Sequence, residues 1–126
     1  MATLDMGNSI YNLDEKSVNN SIKPGSIGNY ALGLDTPSSF NVKYVGRSDT
    51  DLNQRLLAWC VDKINGKVTY THFKFSYSSS IKNAFEKECI NYHDFGESKS
   101  LANEIHPDRP KNTDWKCPKC NIFGRD

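Results

Sequence analysis

Residues 28–56 read GNYALGLDTPSSFNVKYVGRSDTDLNQRL, and this stretch decides the fold. Two β-type runs, NYALGLD and FNVKYVGR, flank Thr36-Pro37-Ser38-Ser39, where proline and serine mark a turn or short loop. The second run stops at Gly46. Asp49, Thr50 or Asp51 can then cap a helix beginning near Leu52, because their side-chain oxygens accept from the unpaired N–H groups of a first helical turn. The order is strand, turn, strand, helix. Each strand carries one tyrosine, Tyr30 and Tyr44, and the helix carries Arg55 one turn in.

Working outward, Leu52, Leu56, Trp59, Cys60 and Ile64 recur at spacings of three and four and form one apolar stripe. Asn65-Gly66 ends that helix. The run VTYTHFKFSYS, 68–78, predicts a third strand. Its Phe73, Phe75 and Tyr77 belong to the core face, and Tyr70, His72 and Lys74 to the other. Ser78 to Ser80 offer a cap for a second helix from Ile81 to about His93, with Ile81, Ala84, Phe85, Glu88 or Cys89, and Tyr92 as its stripe. Glu86, Cys89 and His93 share a neighbouring face.

Residues 1–27 are rich in Asn and Ser and read as a polar, loosely packed N-terminal arm in which Ile10, Tyr11 and Leu13 give at most one helical turn. Residues 96–126 read as loop, since Pro107, Pro110 and Pro118 forbid long regular structure. A loop that long needs something to pin it. The expected architecture is α+β: a small, mainly antiparallel three-stranded sheet packed against helices. Residues 28–106 form its body, and a tail at 107–126 packs on the same domain.

At 126 residues the chain suits one domain with a modest core. With 16 basic and 15 acidic residues there is no global electrostatic case for nucleic acid, so any basic surface must be local. No apolar run approaches the about 20 residues of a membrane span, and no signal peptide is visible. The expected compartment is the cytoplasm, without membrane association.

In that compartment a close cysteine pair is more often a metal site than a disulfide. Cys117-Pro118-Lys119-Cys120 is half of a tetrahedral zinc site. Cys89 and His93, one helical turn apart, can supply the other half, with His106 as a competitor for the fourth place. A closed four-ligand site of this kind is structural, and it would staple the tail to the second helix.

Taken together, the tyrosines, Arg55 and the second helix match a known arrangement. Gly28-Asn29-Tyr30 resembles the first signature of the GIY-YIG nuclease family, with Asn29 where isoleucine is usual. Tyr44-Val45-Gly46 resembles the second, and Arg47-Ser48 the basic and hydroxyl pair that follows. Asp51-Leu52-Asn53-Gln54-Arg55-Leu56 resembles the family's helix start, with Trp59 where histidine or tyrosine is common. Ala84-Phe85-Glu86-Lys87-Glu88-Cys89-Ile90 is similar to the metal-binding helix. Glu86 is the better match by its spacing to Ile90, and Glu88 the fallback. The family's late asparagine corresponds to Asn103.

The resemblance implies a DNA endonuclease. Glu86 would hold one Mg²⁺ or Mn²⁺, Tyr30 would take a proton from the attacking water, Tyr44 would orient the phosphate, and Arg55 would neutralise developing charge. Asn103 completes the catalytic set; Arg47 and His72 are second-rank phosphate contacts. A basic tail with Arg109, Lys111, Lys116, Lys119 and Trp115 could clamp a nucleic acid. The other reading keeps the same fold as a zinc-stabilised nucleic-acid-binding or protein-interaction module without cleavage. Oligomeric state is left open, although duplex breaks would need a dimer or two visits.

Overall fold

The computed structural model describes residues 4–7, 9–36, 39–103, 106–120 and 122. In chain order the elements are β1 (Tyr11–Asn12), α1 (Glu15–Ser21), β2 (Gly28–Asp35), β3 (Phe40–Ser48), α2 (Leu52–Ile64), β4 (His72–Tyr77), α3 (Ile81–Asp94) and α4 (Glu97–Ser100). The strands form a four-stranded antiparallel sheet in the order β1-β4-β2-β3. The β2–β3 hairpin falls where the turn signal puts it. Thr36 and Ser39 exchange backbone hydrogen bonds of 2.9 and 3.2 Å, while Pro37 and Ser38 lie outside the described residues.

The fourth strand corrects the expectation of three, and it comes from the segment read as a loose arm. β1 pairs Tyr11 with Phe73 across β4. Asp14 then caps α1 by accepting from Ser17 N at 2.8 Å. Leu13, Val18 and Ile22 are fully buried against Leu52, Leu56 and Cys60 of α2. Three apolar side chains suffice because each meets a core that already exists. Asn53, buried on α2, donates from Nδ2 to the Ile22 carbonyl at 2.9 Å and fastens the two helices together.

Alternation along the strands sorts the core into two sides. Tyr30, Leu32 and Phe73 face α1 and α2; Ala31 and Val45 face the other way and pack with Tyr92 of α3. The capped helix at Leu52 forms as expected, with Asp51 accepting from Gln54 N at 3.2 Å. Its buried stripe ends at Cys60, and Ile64 is 82% exposed instead of joining it. β4 begins at His72 rather than 68, after Thr71 N has bonded the Gly33 carbonyl at 3.0 Å. Phe73 is buried and Phe75 half-buried, but Tyr77 emerges into solvent.

Asn29 explains itself in this frame. Its side chain, wholly buried, donates to the Ala84 carbonyl at 2.9 Å and accepts from Ser78 Oγ at 2.9 Å. It therefore sews the first turn of α3 to the strand carrying Tyr30, work that an isoleucine could not do.

Candidate active site and candidate metal centre

The two signature glycines are set by close approach. A Cβ on Gly46 would collide with Cζ and Oη of Tyr30, and one on Gly28 would collide with the Ser76 carbonyl. Without a side chain at Gly46, the Tyr30 ring lies over β3 and stacks on Tyr44, with ring centroids 6.3 Å apart. Trp59 of α2 packs against Tyr44 at 4.9 Å and donates from Nε1 to the Tyr30 hydroxyl at 2.9 Å. Burial, with Tyr44 alongside, holds the Tyr30 phenol well above its ordinary ionisation range; the Trp59 hydrogen bond and the Arg55 charge pull more weakly the other way. Burial and then Glu88 raise Tyr44 likewise.

Glu88 is the acid that reaches these tyrosines. Its charge acts on both, and it in turn feels Arg55 and Arg47. Glu86 is half-exposed and is not among the charges that chiefly shift either tyrosine. Two helical positions are about 200° of rotation, so the residues sit on nearly opposite sides of α3. Of the two carboxylates, Glu88 is the one whose charge both tyrosines feel. Glu88 is 12% exposed and accepts from Arg47 Nη1 at 2.6 Å, yet burial still lifts its carboxyl to about 7.

Arg47 is fully engaged. It binds Glu88, Asp49 (Nε to Oδ1, 2.9 Å) and the Asp108 carbonyl (Nη2, 2.7 Å), and its guanidinium lies 5.2 Å from the Phe85 ring centre. Arg55 differs: among the described residues its side chain makes no hydrogen bond or ion pair, and it opens into a cleft of about 560 Å³ shared with Arg47, Ser48, Asp49, Gln54 and Asp108.

Two expected members are elsewhere. Asn103 is buried and spends its side chain on the β3 backbone, accepting from Val45 N at 3.0 Å and donating to Val45 O at 2.8 Å. Both ends of its amide are committed, so it is a clamp and does not join the tyrosines. His72 pairs with Gly33, four β2 residues from the Asn29–Arg47 pair, roughly 13 Å along the sheet. It hydrogen-bonds Thr71 Oγ1 at 2.7 Å and is no neighbour of the arginines.

In the tail, His93, His106, Cys117 and Cys120 bring their ligand atoms within 4.8 Å of one another, a group that could hold a metal ion. The competitor His106 takes the fourth place. Cys89 is fully buried beside Phe85 and Cys117, where burial and the neighbouring Cys117 thiol push its own thiol up. The histidines are prepared for ligation. His93 Nδ1 is 2.6 Å from Glu97 Oε2, and His106 Nδ1 is 2.7 Å from the Pro107 carbonyl. With acceptors at both Nδ1 positions, the Nε2 lone pairs turn inward, 3.1 Å apart. Cys120 Sγ lies 3.5 Å from His106 Nε2, and Lys119 N donates to Cys117 Sγ at 3.4 Å. Burial also lowers His106 and favours the neutral ring.

Sequence reading missed Glu97, Trp59 as partner of Tyr30, and the Asp108 carbonyl. Glu97 had a legible signal, standing four residues after His93. Among the described residues no helix is long and apolar enough to cross a membrane. Comparison with protein-family models, curated proteins and solved structures finds no match.

Proposed function

We propose that this chain is a metal-dependent endonuclease of GIY-YIG type that hydrolyses DNA phosphodiester bonds. The observation that supports it is that Tyr30 and Tyr44, stacked on each other, both feel the charges of Arg55 and Glu88, with Gly46 bare beneath the Tyr30 ring. Glu88 fits a hard cation such as Mg²⁺ or Mn²⁺: it is a shielded carboxylate bound to Arg47, which lines the cleft, with Asp49 close enough to add negative charge. A divalent ion held there would supply a bound water of lowered pKa and offset phosphoryl charge. Arg55, unengaged and facing the cleft, is the phosphate ligand, and its planar fork suits two phosphoryl oxygens. Tyr30 receives the proton of the attacking water only once added positive charge overcomes the burial that now keeps its phenol neutral. Tyr44, stacked on it, orients the phosphate. Arg47 leaves the list of phosphate contacts because its donors are already used.

The His/Cys cluster is read as a structural zinc site. With Zn–N of about 2.0–2.1 Å and Zn–S of about 2.3 Å, a tetrahedron requires N···N near 3.3 Å and N···S near 3.6 Å. The distances here are 3.1 and 3.5 Å. Four protein ligands leave no open position, so this ion would hold the tail and take no part in hydrolysis.

One observation favours the non-cleaving module: Glu88 is bound to Arg47, and Tyr30 is held neutral. The deciding experiment is cleavage of supercoiled plasmid and labelled branched DNA with Mg²⁺ or Mn²⁺, beside Tyr30→Phe and Glu88→Gln. Nicking abolished by both substitutions is expected. No cleavage by the wild type, together with zinc-dependent DNA binding, would transfer the assignment to the module.

A further inference from the structure

Arg47 bridges three parts of the chain that are far apart in sequence. Its partners are Asp49 in the turn before α2, Glu88 on α3 and the backbone carbonyl of Asp108 in the tail. Only the last depends on how the tail is held. Asp108 stands two residues after His106, a member of the His/Cys cluster, and the residue between them is Pro107, whose ring fixes its own φ. Pro107 is also tied back to the cluster, because its carbonyl accepts from His106 Nδ1. From the inward Nε2 of His106 to the Asp108 carbonyl there is little torsional freedom left.

A second contact runs alongside. Trp115 packs on Phe85, the ring beneath the Arg47 guanidinium, and Arg109 Nη1 donates to the Trp115 carbonyl at 3.1 Å. A guanidinium presents its donors in a rigid fork. Fixing Nη2 on Asp108 and Nε on Asp49 therefore fixes where Nη1 meets Glu88.

We propose that Arg47 is a positioning residue for Glu88, and that a metal ion in the His/Cys cluster sets its position through Pro107 and the Asp108 carbonyl. The zinc site is then more than a staple: its occupancy decides where the sheet-edge carboxylate points. This rests on the nuclease reading only for the role given to Glu88, and the coupling itself can be observed without any cleavage.

The test is NMR on the full chain loaded with zinc, following the Arg47 Nε–H signal, assigned by Arg47→Lys, and the Glu88 carboxyl carbon, assigned by Glu88→Gln. Pro107→Gly keeps every ligand but frees the link. In that variant, with one zinc still bound per chain, Arg47 Nε–H should exchange with solvent about tenfold faster, and the Glu88 carboxyl signal should move. Chelating zinc from the wild type should do the same. If Pro107→Gly fails to retain zinc, loaded and chelated wild type decide the matter. Arg47 exchange and a Glu88 signal that are both indifferent to zinc would overturn the proposal. Coupling seen in both signals, alongside no plasmid cleavage by the wild type, would keep the proposal and remove the nuclease reading; cleavage that survives Glu88→Gln would remove only the catalytic role given to Glu88.

Discussion

In the tail, Glu97 and Pro107 occupy the outer nitrogens of His93 and His106, so the inner nitrogens face one shared point. At the sheet edge the hydrogen bonds run the opposite way. Arg47 covers Glu88, Trp59 covers the Tyr30 hydroxyl, and Arg55 opens on the cleft with no side-chain partner among the described residues. One cluster gathers its ligand atoms within 4.8 Å of one another; the other satisfies its own groups internally. A site built to hold an ion permanently gains from preorganisation. A site that must admit and release a substrate can keep its charged groups neutralised between turnovers, since an uncompensated buried charge is costly.

Removing the tail's ion should test that contrast most severely. Cys120→Ser, or chelation, should cost about 3–5 kcal/mol and lower Tm by roughly 10–20 °C in a thermal melt, because metal binding to such a site is folding free energy. Cys89→Ala should leave the metal content at one ion per chain, whereas His106→Ala should lose it. The reverse result would return the fourth ligand to α3.

Next in size is the crowding under Tyr30. Gly46→Ala should cost about 1–3 kcal/mol in urea unfolding, since the new methyl lands on Cζ and Oη of Tyr30. On a Tyr30→Ala background most of that cost should vanish, and additive losses would show that the ring is not what the glycine accommodates.

The smallest effect is electrostatic. Glu88 titrates near 7, above its ordinary 4.5, so the fold prefers its protonated form. That contribution is complete below about pH 4.5 and is lost as pH rises through 7. Glu88→Gln, which mimics the neutral acid, should match the wild type at pH 4 and be more stable by about 1–2 kcal/mol at pH 8, the ion pair with Arg47 limiting the gain. A variant less stable than the wild type at pH 8 would mean that Arg47 outweighs burial.

The hairpin, the Asp51 cap and α3 were legible because their signals are local: turn residues, a capping oxygen, a period of three and four. β1 and α1 were not, because Leu13, Val18 and Ile22 acquire meaning only against Leu56 and Cys60, which are distant in sequence. The choice between Glu86 and Glu88 was a question of helix phase. Spacing to Ile90 fixes phase relative to one residue; packing of Phe85 and Tyr92 against their neighbours fixes it relative to the sheet. Likewise, Cys89 and His106 were both chemically suited to the fourth place. The fold, invisible in the chain order, groups the histidine with Cys117 and Cys120. The Cys-x-x-Cys pair was legible as part of a group that could hold a metal ion, because its four residues contain most of their own geometry.

Asn103 has a consequence for how copies of this chain meet. β3 is the outermost strand of the sheet, and an outer strand with free N–H and C=O groups invites a strand from another molecule. Here the Asn103 amide takes both backbone groups of Val45, and Ala102 N takes the Lys43 carbonyl at 2.6 Å. Two residues of irregular chain thus stand in for a fifth strand, and the sheet is closed to growth by addition at that point.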